Sequence, residues 1–174
     1  MSVQVADNFL DEDLINMITQ TMQKCVWLHN HSSIINSNHH NSRKFWMMNF
    51  EHDTFLKYTL LKKIESTFNK KYEIVRMYMN GQTYGQHGSY HRDVSCQTDN
   101  AYTFLIYCSP EITTKTVDEI GGYTHFKCKN EIITIEPLYK RAVMFDSNLE
   151  HKGCAPESYN ILRQSLAIKL IEIN

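Results

Sequence analysis

The hydrophobic pattern changes at Tyr72, and this change constrains the fold more than any other feature of the sequence. Five stretches with strand-like alternation follow it, separated by turn residues: YEIVRMYMN, AYTFLIYCS, EIITIEP, RAVMFDS and RQSLAIKLIEI. Before it, residues 11–22 and 53–68 have helical spacing, and a polar loop over 29–42 separates two short strands, the second near 44–49. Helices followed by a run of strands predict an α+β protein, with the helices on one face of a β-sandwich or barrel.

Composition limits the classes of protein to which the chain can belong. Its 174 residues suit a single domain, 1–174, with a helical part over 1–70 and a β-core over about 72–173. The 18 basic and 19 acidic residues give a net charge of −1, so no nucleic-acid partner is expected. The five cysteines form no Cys-x-x-Cys pair, which favours a reducing, cytoplasmic location. The sequence has neither a secretory signal pattern nor a run of about 18 apolar residues, so no membrane association is expected.

The stretch His91-Arg92-Asp93 contains two side chains that can bind a metal. His-Arg-Asp also occurs in protein kinases, but their pattern requires an Asn five residues after the Asp, where this chain has Thr98. In a strand, residues i and i+2 point to the same side, so His91 and Asp93 can face one cavity. His151, just after RAVMFDS, can complete the set of two histidines and one carboxylate that non-haem Fe(II) oxygenases use. The alternative is that both histidines are ordinary surface or capping residues.

A candidate anion-binding residue, Arg163, lies twelve residues after His151. The stretch RQSLAIKL alternates, so Arg163, Ser165 and Ala167 share one side of the predicted strand and the apolar residues occupy the other. A buried arginine needs an anionic partner, and none is evident in the sequence. A dicarboxylate ligand would supply that partner in a bidentate salt bridge. The alternative is an arginine at a strand end that reaches solvent.

Taken together, these residues resemble the 2-oxoglutarate- and Fe(II)-dependent dioxygenases, and most of all the prolyl 4-hydroxylase-like branch. The matching motifs cover roughly residues 75–171: RMYMNGQTYGQ, HRD, TFLIYCS, GGYTHF, RAVMFDSNLEHKGCAP and RQSLAIKL. The resemblance implies a double-stranded β-helix, or jelly-roll, with the N-terminal helices packed on its major sheet. It also implies that His91, Asp93 and His151 bind Fe(II), and that Arg163 and Ser165 hold the far carboxylate of 2-oxoglutarate.

Three tyrosines are further candidate residues that the resemblance implies. Tyr107 matches a strand tyrosine that contacts the cosubstrate carboxylate in related hydroxylases. Tyr78 and Tyr84 match a Tyr-x-x-Gly-x-x-Tyr stretch and are expected to line the substrate or cosubstrate pocket. The alternatives are a core aromatic for Tyr107 and barrel-wall packing for Tyr78 and Tyr84.

The chain departs from the family pattern at two places. Many relatives have the first iron histidine where this chain has His87, so HGSY is interpreted as an insertion before His91-Arg92-Asp93. His87 is expected near the mouth of the site or at the surface. The stretch between His151 and Arg163 is also longer than in typical prolyl hydroxylases, which leaves prolyl specificity open. The histidines of the polar loop, His29, His31, His39 and His40, are expected to be solvent-exposed.

The resemblance implies a dioxygenase that uses O2 and 2-oxoglutarate to hydroxylate an unactivated C–H bond, with ascorbate as an optional further cofactor. A prolyl or other protein side chain is the favoured substrate, and a small molecule such as a free amino acid is the alternative. A nucleic-acid demethylase is disfavoured, because the stretch after His151 lacks the Arg-x-Asn-x-x-x-Arg pattern and the chain has no basic excess. A non-catalytic binding module is disfavoured, because it would not need the triad together with Arg163.

Overall fold

A computed structural model describes residues 3–33, 43–93 and 100–173, apart from the side chain of residue 30. In chain order the elements are β1 (Gln4–Ala6), α1 (Glu12–Lys24), β2 (Leu28–His31), β3 (Phe45–Asn49), α2 (Thr54–Phe68), β4 (Lys71–Gln82), β5 (Ala101–Tyr107), α3 (Val117–Ile120), β6 (Thr124–Cys128), β7 (Glu131–Ile135), β8 (Ala142–Asp146), β9 (His151–Gly153) and β10 (Arg163–Ile173).

The strands form two antiparallel sheets. The larger has seven strands in the order β1-β8-β5-β10-β4-β3-β2, and the smaller has three in the order β7-β6-β9. Apolar side chains from both sheets share one cluster, in which Phe126 of the smaller sheet contacts Phe145 of the larger with ring centroids 4.8 Å apart. The sheets therefore pack face to face, and the α+β class predicted from the sequence is confirmed.

Both long helices begin at an aspartate and cover the outer face of the larger sheet. The side chain of Asp11 accepts a hydrogen bond from the Leu14 amide at 3.0 Å, and Asp53 caps α2 in the same way. The apolar faces of the two helices join strand residues in the main hydrophobic core, whose helical members are Leu14, Ile18, Leu56, Leu60 and Ile64. One face of the larger sheet is thereby sealed, which leaves its other face for a cavity.

The alternation along β10 places polar residues on the inner face of the larger sheet. Leu166, Ile168 and Leu170 belong to the core beneath the helices. Arg163 and Ser165 line a cavity on the opposite face. The predicted alternation of RQSLAIKL is therefore observed.

The structure differs from the sequence prediction around the polar loop. Residues 29–31 belong to β2, which pairs with β3, and residues 34–42, which include His39 and His40, lie outside the described residues. The expected exposure of His31 is wrong, because its ring packs against Phe45 and Tyr78 at centroid distances of 5.2 and 5.6 Å. Tertiary packing overrides local polarity here. The short elements β1 and α3 were not predicted. Within the described residues, no helix is both long and apolar enough to cross a membrane.

Candidate metal centre and adjoining cavity

Backbone pairing brings the three predicted metal ligands together. The amide of His91 donates to the carbonyl of His151, and the amide of His151 donates back to the carbonyl of His91, each at 2.9 Å. The amide of Asp93 donates to the carbonyl of Ser147 at 2.9 Å. One ligand atom from each of His91, Asp93 and His151 lies within 4.8 Å of the others. Residues 58 positions apart in sequence thus form one cluster of two imidazoles and a carboxylate.

The two imidazole rings are oriented by backbone carbonyls. Nδ1 of His91 lies 2.9 Å from the carbonyl oxygen of Ser89, and Nδ1 of His151 lies 2.9 Å from that of Leu149. A carbonyl oxygen can only accept, so each Nδ1 carries the proton. Each Nε2 then presents a lone pair toward the carboxylate of Asp93, whose oxygens lie 3.5 Å away. Metal-binding histidines are commonly oriented in this way.

Asp93 is held as a carboxylate by its neighbours. Burial raises its pKa, but the positive charge of Lys169 holds the pKa well below its usual range. Thr103 donates from Oγ1 to Oδ2 at 2.5 Å, and Lys169 forms an ion pair with the same oxygen. The cluster therefore has the charge that a divalent metal requires.

His151 is buried and in the neutral form that binds metals. Only 5% of its surface is exposed, and the rings of Phe126 and Phe145 pack against it. Burial lowers its pKa to about 4, because the charged imidazolium is disfavoured away from water. At neutral pH its Nε2 is free to act as a ligand.

Arg163 is a buried cation whose hydrogen-bond acceptors are all neutral. It is 2% exposed, and its Nε donates to the carbonyl of Gly122 at 2.5 Å. Its terminal nitrogens donate to Gln82 Oε1 at 2.9 Å, Ser165 Oγ at 3.2 Å and Thr124 Oγ1 at 2.9 Å. Within the described part of the chain no carboxylate forms an ion pair with it. A buried, uncompensated positive charge of this kind is costly and suits an anionic ligand.

The metal cluster and Arg163 line the same cavity, which has a volume of about 360 Å³. Ser165 and Asn80, which face each other in the register of β10 and β4, line it between the two ends. Oδ1 of Asn80 is buried and has no hydrogen-bond donor among the described residues. The cavity thus offers a cationic end, an unsatisfied acceptor and a metal cluster along one path. These features fit a divalent metal together with an anionic metal-chelating ligand.

The three predicted tyrosines have different positions. Tyr107 is fully buried, with its hydroxyl donating to Thr124 Oγ1 at 2.8 Å and its ring centroid 5.4 Å from the guanidinium carbon of Arg163. Tyr78 lines the cavity wall. Tyr84, predicted to line the pocket, does not do so: it is 48% exposed, and its ring packs against that of Tyr159 with centroids 4.1 Å apart.

A tight turn explains the position of Tyr84. The amide of Gln86 donates to the carbonyl of Thr83 at 3.1 Å, and Gly85 has a φ of +79°. This turn directs Tyr84 outward. His87 is also absent from the cluster, and its Nδ1 instead accepts a hydrogen bond from the amide of Ala155 at 3.2 Å.

Four polar residues complete the site, and none of them was among the predicted metal-binding or cofactor-binding residues. Gln82 and Thr124 bind Arg163, whereas Thr103 and Lys169 bind Asp93. A signal existed for two of them. Gln82 has the same parity as Tyr78 along β4, and Lys169 the same parity as Arg163 along β10, so both face the cavity.

Solved structures of prolyl hydroxylases share this architecture. One is a prolyl hydroxylase from Trichoplax adhaerens, solved in complex with a hypoxia inducible factor oxygen degradation domain peptide fragment. It is 16% identical to this chain with a TM-score of 0.74, and the match covers 98% of this chain and 83% of that chain. A Pseudomonas putida prolyl-4-hydroxylase is 12% identical with a TM-score of 0.70, over 99% and 92%. A viral collagen prolyl hydroxylase from Paramecium Bursaria Chlorella virus-1, in a 2OG complex, is 15% identical with a TM-score of 0.64, over 100% and 97%.

No protein-family model and no curated protein matches the chain in sequence. The chain has the fold of solved 2OG-Fe(II) oxygenases, among them the prolyl hydroxylases. The resemblance predicted from the motifs is confirmed at the level of the fold. A fold alone does not determine chemistry, so the function depends on the residues of the site.

Proposed function

We propose that this protein is an Fe(II)- and 2-oxoglutarate-dependent dioxygenase that hydroxylates an unactivated C–H bond. The observation that carries the proposal is the combination found in one cavity. One part of the cavity is lined by a cluster of two histidines and a carboxylate. Another part is lined by the buried Arg163, which has no ionic partner among the described residues. A ligand that is anionic at one end and chelates a metal at the other would satisfy both.

In this proposal His91, Asp93 and His151 hold the metal. The two Nε2 atoms already face the carboxylate, so little rearrangement is needed. Three ligands on one side of the ion leave the remaining positions for 2-oxoglutarate and O2. When bound, the iron and 2-oxoglutarate would supply the oxidation: one atom of O2 enters succinate, CO2 is released, and the other atom enters the substrate as a hydroxyl.

Arg163 and Ser165 are proposed to hold the far carboxylate of 2-oxoglutarate. The guanidinium is fixed by Gly122, Gln82 and Thr124, so its orientation is set before the ligand arrives. Tyr107 donates to Thr124, which also accepts from Arg163, so its proposed role is to support the side chains that hold this carboxylate. The role proposed for Tyr78 is packing along the wall between the two ends.

A prolyl or other protein side chain is the proposed substrate. The chain is proposed to form a single domain, 1–174, whose core over about 72–173 is a double-stranded β-helix. The likeness to a prolyl hydroxylase solved with a peptide fragment supports this substrate class. O2 is the proposed oxidant, and ascorbate a proposed aid to maintaining Fe(II).

The test is a 2-oxoglutarate turnover assay with Fe(II) across proline-containing peptides and free amino acids. We expect succinate formation that depends on Fe(II) and is stimulated by a peptide but not by its proline-to-alanine version. Stimulation by a free amino acid alone would contradict the protein substrate. Absence of Fe(II)-dependent succinate formation under every condition would contradict the reaction itself.

A further inference from the structure

A second pair of cations lies in the cavity, at the end away from Arg163. Arg76 and Lys169 face each other in the register of β4 and β10, and both line the cavity. Lys169 is six residues from Arg163 along β10. Because Lys169 pairs with Asp93, these two cations lie at the level of the metal cluster. Bound 2-oxoglutarate would extend from the metal toward Arg163. The space on the other side of the metal would remain for the substrate, and the two cations border that space.

The positive charge at this end is only partly compensated. Like charges directly opposite each other in a sheet are destabilising. The nearest ionic partner of Arg76 is Glu51, at 3.8 Å, and Lys169 depends on Asp93. A divalent metal would bind that same carboxylate and add its own charge beside Lys169. Among the described residues that line the cavity, Asp93 is the one carboxylate, compared with four arginines and lysines: Arg76, Arg92, Arg163 and Lys169.

2-Oxoglutarate does not remove this excess. It would bring two negative charges, one bound at Arg163 and one at a metal that itself carries two positive charges. Lys169 would then share its carboxylate with the metal, and Arg76 would have only Glu51, at 3.8 Å. A third negative charge, from another molecule, would offset part of the positive charge that remains at this end of the cavity.

Aromatic side chains form the wall beside the two cations. His31 packs between Phe45 and Tyr78, and the guanidinium of Arg76 lies 4.6 Å from the centroid of the Tyr78 ring. Burial lowers the pKa of His31 to about 4, so at neutral pH its ring adds no charge. This end of the cavity thus combines an apolar wall with two cations, which suits a compact apolar group that carries an anion.

We propose that the substrate carries a carboxylate that binds Arg76 and Lys169 and directs the adjacent apolar C–H group toward the metal. This inference rests on the proposed function and specifies its substrate class. The carboxylate can come from a free amino acid or from an acidic residue next to the oxidised residue of a peptide. Both present the same group to the same two cations.

Two pairs of probes test the proposal and separate the two sources. The first pair is L-proline and L-prolinamide, and the second is N-acetyl-prolyl-glutamyl amide and N-acetyl-prolyl-glutaminyl amide. Binding is measured by calorimetry on protein loaded with Fe(II) and 2-oxoglutarate without oxygen. We expect the carboxylate member of at least one pair to bind about tenfold more tightly than its amide. The pair that shows this preference identifies the source.

The variants Arg76→Gln and Lys169→Met should each reduce this preference to about twofold or less. Lys115→Gln, at an exposed position outside the cavity lining, is the control and should keep it. The decisive quantity is the ratio of the two affinities within a pair. If Lys169 only positioned Asp93, its substitution would weaken the binding of both members of a pair equally. Arg76 has no contact with Asp93, so its variant tests the proposal even if Lys169→Met loses metal.

Two outcomes would overturn the inference: equal binding of both members in both pairs, or a preference that survives in both variants. Binding of 2-oxoglutarate and its Fe(II)-dependent conversion to succinate without probe are measured on the same samples. If these succeed while the carboxylate preference is absent, the inference alone fails. If 2-oxoglutarate neither binds nor is consumed, the proposed function fails with it.

Discussion

Asp93 is the residue on which most polar contacts of the metal cluster converge. Its side chain is 7% exposed and interacts with both ligand histidines, Thr103 and Lys169. Buried carboxylates remain ionised only when such partners outweigh the loss of hydration. Two of these partners, Thr103 and Lys169, are not ligands, and each is expected to affect metal affinity through Asp93.

Replacing Thr103 with valine should weaken metal binding. Valine has nearly the same shape but lacks the hydroxyl that donates to Asp93 Oδ2 at 2.5 Å. Loss of such an outer hydrogen bond typically lowers metal affinity about 10- to 100-fold. Anaerobic titration with Fe(II) would measure the change, and Thr103→Ser should stay near the wild type. Equal affinity of the valine variant and the wild type would show that Thr103 does not orient the carboxylate.

Replacing Arg163 with glutamine should weaken 2-oxoglutarate binding while leaving metal affinity unchanged. Losing charge-assisted hydrogen bonds to a carboxylate is expected to raise the dissociation constant about 10- to 100-fold. Calorimetry on the Fe(II)-loaded protein without oxygen measures this. For 2-oxobutyrate, which lacks the far carboxylate, the wild type and the variant should bind alike. A similar loss for both acids would contradict the proposed role.

The pKa of His31 predicts acid sensitivity of the folded state. Burial holds this pKa at about 4, below the ordinary value of 6.5, so between these pH values the unfolded chain binds a proton that the folded chain does not. Stability should therefore fall as pH decreases from about 6.5 to about 4. Urea unfolding at several pH values should show a shallower decrease for His31→Phe, whereas a variant of the exposed His52 should behave as the wild type. An unchanged slope in His31→Phe would contradict this account.

At the residue scale, the sequence predicts side chains whose chemistry is rare and misses those whose role depends on a distant partner. His91, Asp93, His151 and Arg163 could be predicted from residue type and spacing. Thr103 could not, because its contact with Asp93 depends on how β5 lies beside the turn that carries the ligand. Tyr84 was predicted in the pocket because the motif does not reveal that the turn at Thr83–Gln86 directs it outward.

At the scale of elements, β4 and β10 organise the cavity. Their register pairs Arg163 with Gln82 at one end and Lys169 with Arg76 at the other. A shift of β10 by one residue would turn Arg163 and Lys169 toward the helices. The apolar faces of α1 and α2 prevent this shift, since they require Leu166 and Ile168 on their side of the sheet. The helices thereby fix the site without contributing a residue to it.

Truncating Leu60 to alanine should destabilise the protein without changing the chemistry of the site. This side chain of α2 is fully buried in the core beneath the larger sheet. Removing it is expected to lower the free energy of unfolding by about 2–5 kcal/mol. Chemical denaturation measures the loss, and Leu61→Ala, at a partly buried neighbouring position, should cost less. An equal loss in both variants would contradict the packing described for α2.

At the scale of the whole molecule, two facing sheets and a layer of helices create one cavity with distinct ends. The order of helices and strands, and the alternation in β10, could be predicted because they depend on local periodicity. The order of strands within the larger sheet could not, because β5, β8 and β10 become neighbours through contacts distant in sequence. For the same reason, the position of His31 in the cavity wall could not be predicted from the sequence.

The most direct measurement for the central claim is succinate formation from 2-oxoglutarate by the wild type, His91→Ala and Asp93→Ala, with Fe(II) bound to each protein quantified in parallel. The triad provides the ligand atoms at one point in the cavity, and alanine removes one of them. We predict Fe(II)-dependent succinate formation by the wild type and none above background by either variant, together with loss of bound Fe(II). Full turnover by either variant would contradict the assignment of the metal centre.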